Sequence, residues 1–440
     1  MQETLSHYFG YKSFRPGQEE IITKILNHQH TLGVLPTGGG KSICYQVPGL
    51  MQGGTTIVIS PLISLMKDQV DQLQAMGIQA AYLNSSLTHK QQKEIEEQIK
   101  RGAIQFLYVA PERFENTFFL NLLRKIEIPL IAFDEAHCIS KWGHDFRPSY
   151  QSVIQKVFTL PQNFTIVALT ATATAEVQQD IMSKLSIGQN DVVKTSTKRR
   201  NLIFKVNPTY QRQKFVVDYV ANHEGQAGII YCSTRKQVEE LHEALNSEKI
   251  KSTIYHAGLT NKERIEAQND FLYDRVEVVI ATNAFGMGID KSNVRYVIHY
   301  NMPGDLESYY QEAGRAGRDG LKSECILLFS ERDKGLHEYF ITVSQADDDY
   351  KDKMGEKLTK MIQYTKTKKC LEATIVHYFE PNENLEECNQ CSNCIQENKT
   401  YDMTREAKMI ISCIARMKQQ ESYSVIIQVL RGEVTDYIKH

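Results

Sequence analysis

The sequence predicts an α/β protein with two lobes, each built on a parallel sheet, followed by a helical segment bearing a cysteine cluster. Three observations predict it. Short apolar runs rich in β-branched residues alternate with amphipathic helical stretches over the first three hundred or so residues, the pattern of strands buried on both faces of a parallel sheet. That alternation lapses and restarts, so the strands fall into two groups. Four of the nine cysteines lie between Cys370 and Cys394 and the other five are scattered. This is too sparse for a disulfide scaffold and suits one metal site in a reduced, cytoplasmic protein.

In the first group, strands are expected at residues 31–35, 56–59, 105–109, 130–133 and 165–169; in the second, at 228–231, 278–281, 294–298 and 325–329. The lobes are expected to join near residues 198–206. After about Arg332 no strand is expected: a charged helical segment runs to the cysteines, and a last helical stretch, 405–429, follows. Length and composition agree. At about 150 residues per domain, 440 residues make two to four domains. With 41% hydrophobic and 24% charged residues, wholesale disorder, collagen and coiled coil are excluded. No uncharged apolar run reaches the ~18 residues of a membrane span. Met1-Gln2-Glu3-Thr4 opens no basic stretch with an apolar core behind it, so no signal peptide is expected. Lys and Arg number 51 against 53 Asp and Glu, a net charge of −2. That excludes a uniformly basic nucleic-acid coat and leaves room for local basic tracks.

Behind the first strand, Pro36-Thr37-Gly38-Gly39-Gly40-Lys41-Ser42 opens a helix. Glycines let backbone N–H groups curl around phosphate oxygens, Lys41 reaches the β- and γ-phosphates, and the Ser42 hydroxyl suits Mg²⁺. The general pattern G-x-x-x-x-G-K-[ST] wants glycine where this chain has Leu35, so only its second half fits. A plain glycine turn with a solvated lysine is the alternative. Ile131-Ala132-Phe133-Asp134-Glu135-Ala136-His137 weighs against it. An acid at a strand tip can hold the metal through water, and the next one, Glu135, can polarise the attacking water. Such a pair can also merely cap a helix. After a glycine–lysine loop, the two strings imply a nucleotide-hydrolysing core.

The second lobe supplies Gln311-Glu312-Ala313-Gly314-Arg315-Ala316-Gly317-Arg318, with two arginines three apart on one helical face or turn. Solvated surface arginines are the bland alternative. In a two-lobed ATPase they stabilise charge developing on the γ-phosphate once the lobes close. Asn283-Ala284-Phe285-Gly286-Met287-Gly288-Ile289-Asp290 is a further strand-end glycine loop that could bridge nucleotide and a polymer track.

Together with Phe9-Gly10-Tyr11-Lys12-Ser13-Phe14-Arg15-Pro16-Gly17-Gln18, the strings TGGGKS, Asp134-Glu135-Ala136-His137 and QEAGRAGRDG resemble a RecQ-family DNA helicase of superfamily 2, bacterial-type, from about residue 5 to 430. The resemblance implies two RecA-like lobes, residues 1–200 (ATP-binding) and 201–335, then a helical zinc-binding subdomain over 336–400 and the start of a winged-helix domain over 401–440. It implies that Tyr11, Arg15 and Gln18 bind adenine. Thr37, Gly38, Gly39, Gly40, Lys41 and Ser42 would hold the phosphates, and Ser42 and Asp134 the Mg²⁺. Arg315 and Arg318 become phosphate sensors beside Gln311, and Ala168-Leu169-Thr170-Ala171-Thr172-Ala173 an inter-lobe coupling motif. On residues alone that last string reads as a strand end before a helix capped by Thr174.

Directly after the acidic motif comes His137-Cys138-Ile139-Ser140-Lys141-Trp142-Gly143-His144-Asp145-Phe146-Arg147-Pro148, with the only tryptophan of the chain. Aromatics beside cations suit single strands, since every base offers a π-face. Core packing of Trp142 and Phe146 is the alternative, but Gly143 and Pro148 break regular structure and favour a loop. The resemblance implies an aromatic-rich loop coupling DNA to hydrolysis, with Trp142, His144, Phe146 and Arg147 as contacts. Ser60 and Lys67 at a first-lobe strand end, and Arg235 and His256 in the second lobe, each read singly as part of an ordinary capped helix; taken together they are read as backbone contacts that grip phosphates without reading bases.

Cys370, Cys388, Cys391 and Cys394 give C-x₁₇-C-x₂-C-x₂-C. Four thiolates suit structural Zn²⁺ with no open coordination position. An iron–sulfur cluster or a disulfide pair are alternatives, and the family favours zinc. From about Tyr401 the sequence resembles the first helices of a winged-helix domain, and the remaining helix, β-wing and C-terminal helical module are expected to be incomplete or missing. The expected activity is an ATP-dependent DNA helicase on single strands in the cytoplasm at the nucleoid; the 3′→5′ direction and the role in repair and recombination are implied by the family resemblance alone. Its partners would be single-stranded and tailed duplex DNA and a single-strand-binding protein, with no membrane, and the protein would be a monomer. An RNA track for the same motor, and a scaffold using ATP only as a switch, are the competing classes.

Overall fold

The computed structural model describes residues 1–440 except 86, 144, 283, 284, 286–290, 396–403, 418–421 and 433–440. The first lobe is a seven-stranded sheet: β1 (Thr31–Val34), β2 (Thr56–Ile59), β3 (Ala80–Leu83), β4 (Phe106–Val109), β5 (Leu130–Phe133), β6 (Thr165–Thr170) and β7 (Val192–Lys194). Their order is β3-β4-β2-β5-β6-β1-β7, and every pairing is parallel. Alternate residues of one strand enter different cores: Ile57 and Ile59 pack on one face of the sheet, Val58 on the other. Helices therefore cover both faces, and all strand C-termini open on one edge, the place where α/β sheets bind ligands.

The second lobe repeats the plan with β8 (Leu202–Pro208), β9 (Ala227–Tyr231), β10 (Ser252–Tyr255), β11 (Val278–Ala281), β12 (Val294–His299) and β13 (Ser323–Phe329). The order is β10-β11-β9-β12-β13-β8, again parallel throughout. Four strands went unread in the sequence: β3, β7, β8 and β10. All four are sheet edges. The expected junction at 198–206 needs correction, because β8 already begins at Leu202; the lobes join over residues 195–201. Leu202 and Phe204 point into the core while Ile203 and Lys205 are half-buried.

The cysteine subdomain does not stand apart. Its helices Asp348–Lys366 and Leu371–Phe379 send Leu358, Met361, Tyr364, Ile375 and Phe379 into the same core as Phe204, Tyr309 and Leu327 of the second lobe. It also grips the inter-lobe segment. Glu380 accepts from the Thr197 N–H at 2.7 Å, and Gln390 donates to the carbonyls of Arg200 (3.0 Å) and Leu202 (3.2 Å). Tyr310 donates to the Thr197 carbonyl from the other side.

Met1–Ile395 form one compact unit and Gln396–His440 a second. The second unit holds helices Thr404–Arg416 and Tyr423–Leu430 in place of the single stretch expected over 405–429. Ser422, in extended conformation at the N-cap, starts the latter afresh. Among the described residues, no helix is long and apolar enough to cross a membrane.

Candidate active site

At the C-terminal end of β1 the chain turns through Gly38 (φ 80°) and Gly40 (φ 72°), then enters the helix Ile43–Gln52 with Ser42 at its N-cap. The helix start adds its dipole to the N–H groups of the loop. Behind the loop, Gln18 is 3% exposed. Its amide donates to the carbonyls of Gly39 (3.1 Å) and Gly40 (2.9 Å) and accepts from the Arg15 N–H at 2.8 Å. The Arg15 guanidinium donates to the Gly38 carbonyl. Arg15 and Gln18, two of the three residues expected to read adenine, are thus joined to the phosphate loop itself; Tyr11 is exposed at the cleft.

Asp134 directly follows β5, where its N–H donates to the Ile59 carbonyl of β2 (2.9 Å) and its own carbonyl accepts from the Tyr150 hydroxyl (3.0 Å). Burial holds the Asp134 carboxyl above the usual carboxylate range, and the neighbouring Glu135 charge adds to this while Lys41 opposes it. Asp134 is placed to hold a divalent cation such as Mg²⁺, which would supply positive charge here. Glu135 follows with a left-handed backbone, φ 48°. His137 Nδ1 lies 3.0 Å from Thr170 Oγ1 and 3.4 Å from Glu135 Oε2. Because the Thr170 hydroxyl already donates to the Thr172 carbonyl (3.0 Å), it accepts from Nδ1–H, which fixes the tautomer. The threonine-rich end of β6 is therefore tied directly to the acidic motif, and Thr174 also caps the next helix by accepting from the Val177 N–H.

From the second lobe, the helix Leu306–Ala313 brings Gln311 to the cleft, and Arg315 and Arg318 lie in the turn just beyond its end. The lobes meet closely here: a Cβ on Gly314 would lie 3.2 Å from the Thr37 Cβ. Arg199, in the inter-lobe segment, spans the junction. Its guanidinium donates to the carbonyls of Thr37 (2.7 Å) in the first lobe and of Ala316 (3.1 Å) and Gly317 (3.0 Å) in the second. Sequence reasoning missed it, for Lys198-Arg199-Arg200 reads only as a basic run.

The structure gathers these groups around one cleft of about 400 Å³. Tyr11, Arg15, Gln18, Thr37, Gly38, Gly40, Lys41, Ser42, Asp134, Glu135, Gln311, Arg315 and Arg318 line it. Gly39 turns its N–H to the Pro36 carbonyl at 2.8 Å and does not line the cleft.

The expected nucleic-acid contacts are more dispersed. Lys67 is exposed and paired with Asp71 at 2.7 Å; Arg235 is exposed beside Gly258. Ser60 is fully buried and His256 is 3% exposed, its Nδ1 accepting from the Gly258 N–H at 3.2 Å. Those two shape strand-end turns in this state. Arg147 binds Asp145 (3.1 Å) and donates to the Pro61 carbonyl (3.1 Å). Phe146 and Trp142 are half-buried, with Trp142 packed on the first-lobe core. The loop there is tight: a Cβ on Gly143 would come within 2.2 Å of the His137 carbonyl oxygen. His144 and most of residues 283–290 lie outside the described residues.

The four cysteine sulfurs lie within 4.8 Å of one another. Individual separations are 3.5 Å (Cys391–Cys394), 3.9 Å (Cys370–Cys391) and 4.0 Å (Cys388–Cys394). A tetrahedral Zn²⁺ with bonds of about 2.3 Å would hold sulfurs about 3.8 Å apart, so the set fits. Backbone N–H groups of Leu371, Cys388 and Cys391 point at the sulfurs, each at 3.3 Å, the support that thiolates need. The Cys391 thiol is pulled well below its ordinary range, first by its hydrogen bond with Cys370.

Comparison with known proteins gives the family and the domains. A DEAD/DEAH box helicase model matches residues 15–181 and a helicase conserved C-terminal domain residues 211–320. A RecQ zinc-binding model matches 331–395 and an RQC domain 397–440. The chain is 48% identical over 432 residues to the ATP-dependent DNA helicase RecQ of Bacillus subtilis (strain 168), covering 98% of this chain and 73% of that relative. It is 42% identical to RecQ of Haemophilus influenzae, covering 97% of this chain and 69% of the other. Among solved structures, Saccharomyces cerevisiae Dbp5 bound to RNA and ADP BeF3 matches with a TM-score of 0.62 at 19% identity, over 81% of this chain and 97% of that one. A likeness at that identity speaks for the fold alone.

Proposed function

The chain belongs to the RecQ family of ATP-dependent DNA helicases, and on that premise we propose how its residues divide the work. The observation that carries the proposal is the single cleft in which the phosphate loop, both acids and both arginines converge from two lobes. Tyr11, Arg15 and Gln18 take the adenine, and the loop N–H groups with Lys41 take the phosphates. Ser42 and Asp134 would hold Mg²⁺, which would supply the positive charge that offsets the phosphates. Glu135 orients and deprotonates the attacking water, while His137 steadies it from the side of Thr170. Arg315 and Arg318 meet the γ-phosphate when the lobes close, an effect worth about 10³–10⁵ in rate where an arginine plays this part. Cys370, Cys388, Cys391 and Cys394 hold Zn²⁺ as a structural ion.

The track is DNA. We assign the first contacts to Trp142, His144, Phe146 and Arg147 of the aromatic loop, with Lys67 and Arg235 on the backbone and Ser60 and His256 behind them. Movement runs 3′→5′ on a single strand and opens a tailed duplex. The functional division follows residues 1–200, 201–335, 336–400 and 401–440. The protein works as a monomer in the cytoplasm at the nucleoid, beside a single-strand-binding protein, in repair and recombination.

ATP turnover with and without an oligonucleotide, using matched DNA and RNA strands, tests the reading. Faster turnover with DNA is expected, and Lys41→Ala should abolish it. Equal stimulation by RNA would assign the RNA track instead, and no stimulation at all would leave an ATP-switched scaffold. Displacement from a 3′-tailed but not a 5′-tailed duplex checks direction.

A further inference from the structure

Trp142 is the only tryptophan in the sequence, and its ring is not presented as an open stacking platform. It packs half-buried on the first-lobe core, with the Lys141 ammonium 5.4 Å and the Lys353 ammonium 5.8 Å from its centre. Its backbone carbonyl accepts from Lys357 Nζ at 2.8 Å. Lys353 and Lys357 stand one turn apart on the cysteine subdomain's helix Asp348–Lys366, so they share a face. An exposed pair, Lys141–Asp347 at 2.8 Å, closes the outer edge of the same contact.

Lys357 has a second partner. It forms an ion pair with Glu307 at 3.0 Å, and the two side chains are only 7% and 4% exposed. Glu307 lies in the first turn of the helix Leu306–Ala313, which carries Gln311 and runs into Arg315 and Arg318. One ammonium group thus touches the aromatic loop of the first lobe and the arginine-bearing helix of the second.

We propose that Lys357 is a positioning residue of the DNA-stimulated reaction: it holds the aromatic loop in a resting setting and transmits the loop's release to the arginine helix. This role depends on the reading of that loop as the DNA sensor. A base competes with the Lys141 and Lys353 ammonium groups for the Trp142 ring, and strand phosphates compete with the ring for those same lysines. As the loop leaves, the Trp142 carbonyl leaves Lys357, and the lysine turns wholly to Glu307. A point charge on a flexible stem exchanges such partners without rebuilding its surroundings. The coupling is a shift between two settings, biased by the strand.

Lys357→Met tests it, read by turnover and by the emission of the lone tryptophan. DNA-free turnover should rise, so that the ratio of oligothymidylate-stimulated to DNA-free turnover falls by about fivefold or more, with KM for ATP within about twofold. Without DNA, Trp142 emission should shift to the red and become more accessible to acrylamide. An unchanged ratio or an unchanged emission in the folded variant overturns the proposal. Should Lys357→Met fail to fold, Lys353→Met, at a more open position, is read by the same two measures, and an unchanged ratio or emission there overturns it equally. Wild-type protein that ignores oligothymidylate would instead sink the sensor reading beneath it.

Discussion

Glu135 holds a left-handed backbone at the tip of β5, a conformation that costs a non-glycine residue about 1–3 kcal/mol. The surroundings that impose it also aim the carboxylate: Asp134 accepts from its N–H at 3.0 Å and His137 flanks its side chain. Glu135→Gln keeps size and backbone while removing the base. Turnover should fall by about 10²–10⁴-fold with nucleotide binding retained, as rapid-quench and equilibrium-binding measurements would show. Arg199 is the residue of the site that no string in the sequence announces. Its planar fork serves carbonyls on both lobes, which lysine cannot copy. Arg199→Lys and Arg199→Ala should each lower DNA-stimulated kcat by about tenfold or more, with KM for ATP little changed. A kcat equal to wild type would show that the clamp is idle.

At the level of elements, central strands were legible and edge strands were not. Val278-Val279-Ile280-Ala281 is buried along its whole length and reads as one apolar run, whereas every residue of β10 is only half-buried and Ser252-Thr253 is polar. An edge strand needs only half an apolar pattern, so its sequence merges with the surrounding loop. The phosphate loop, the acids and the arginines were legible because each is a contiguous string whose backbone shape demands glycine or a strand end. The Arg199 bridge and the Lys357 contact join residues more than a hundred positions apart, and only the fold brings them together. Gly143 belongs at this scale too. Gly143→Ala must displace the carbonyl of His137, whose ring flanks Glu135, so DNA stimulation should drop while affinity for ATP holds, a split that steady-state kinetics would reveal.

For the whole molecule, the cysteine cluster is part of the second lobe's core. Zinc binding is worth about 10–16 kcal/mol in small zinc peptides, so Cys391→Ser should cost more than a local tail. Zinc stoichiometry should fall, and the melting transition of the second lobe should broaden and drop with it; a first-lobe-sized fragment surviving proteolysis would mark the boundary of the damage.

The hydrogen bonds that Glu380, Gln390 and Tyr310 share with residues 197–202 carry one more implication. On the motor reading proposed above, this segment is a swivel between two moving bodies; a swivel transmits force only if its axle is seated, and the zinc module would be the bearing. With the metal stripped, each body would still grasp its own share of ATP or DNA, but the stroke would be lost as slack. The machine would slip where a well-mounted one steps.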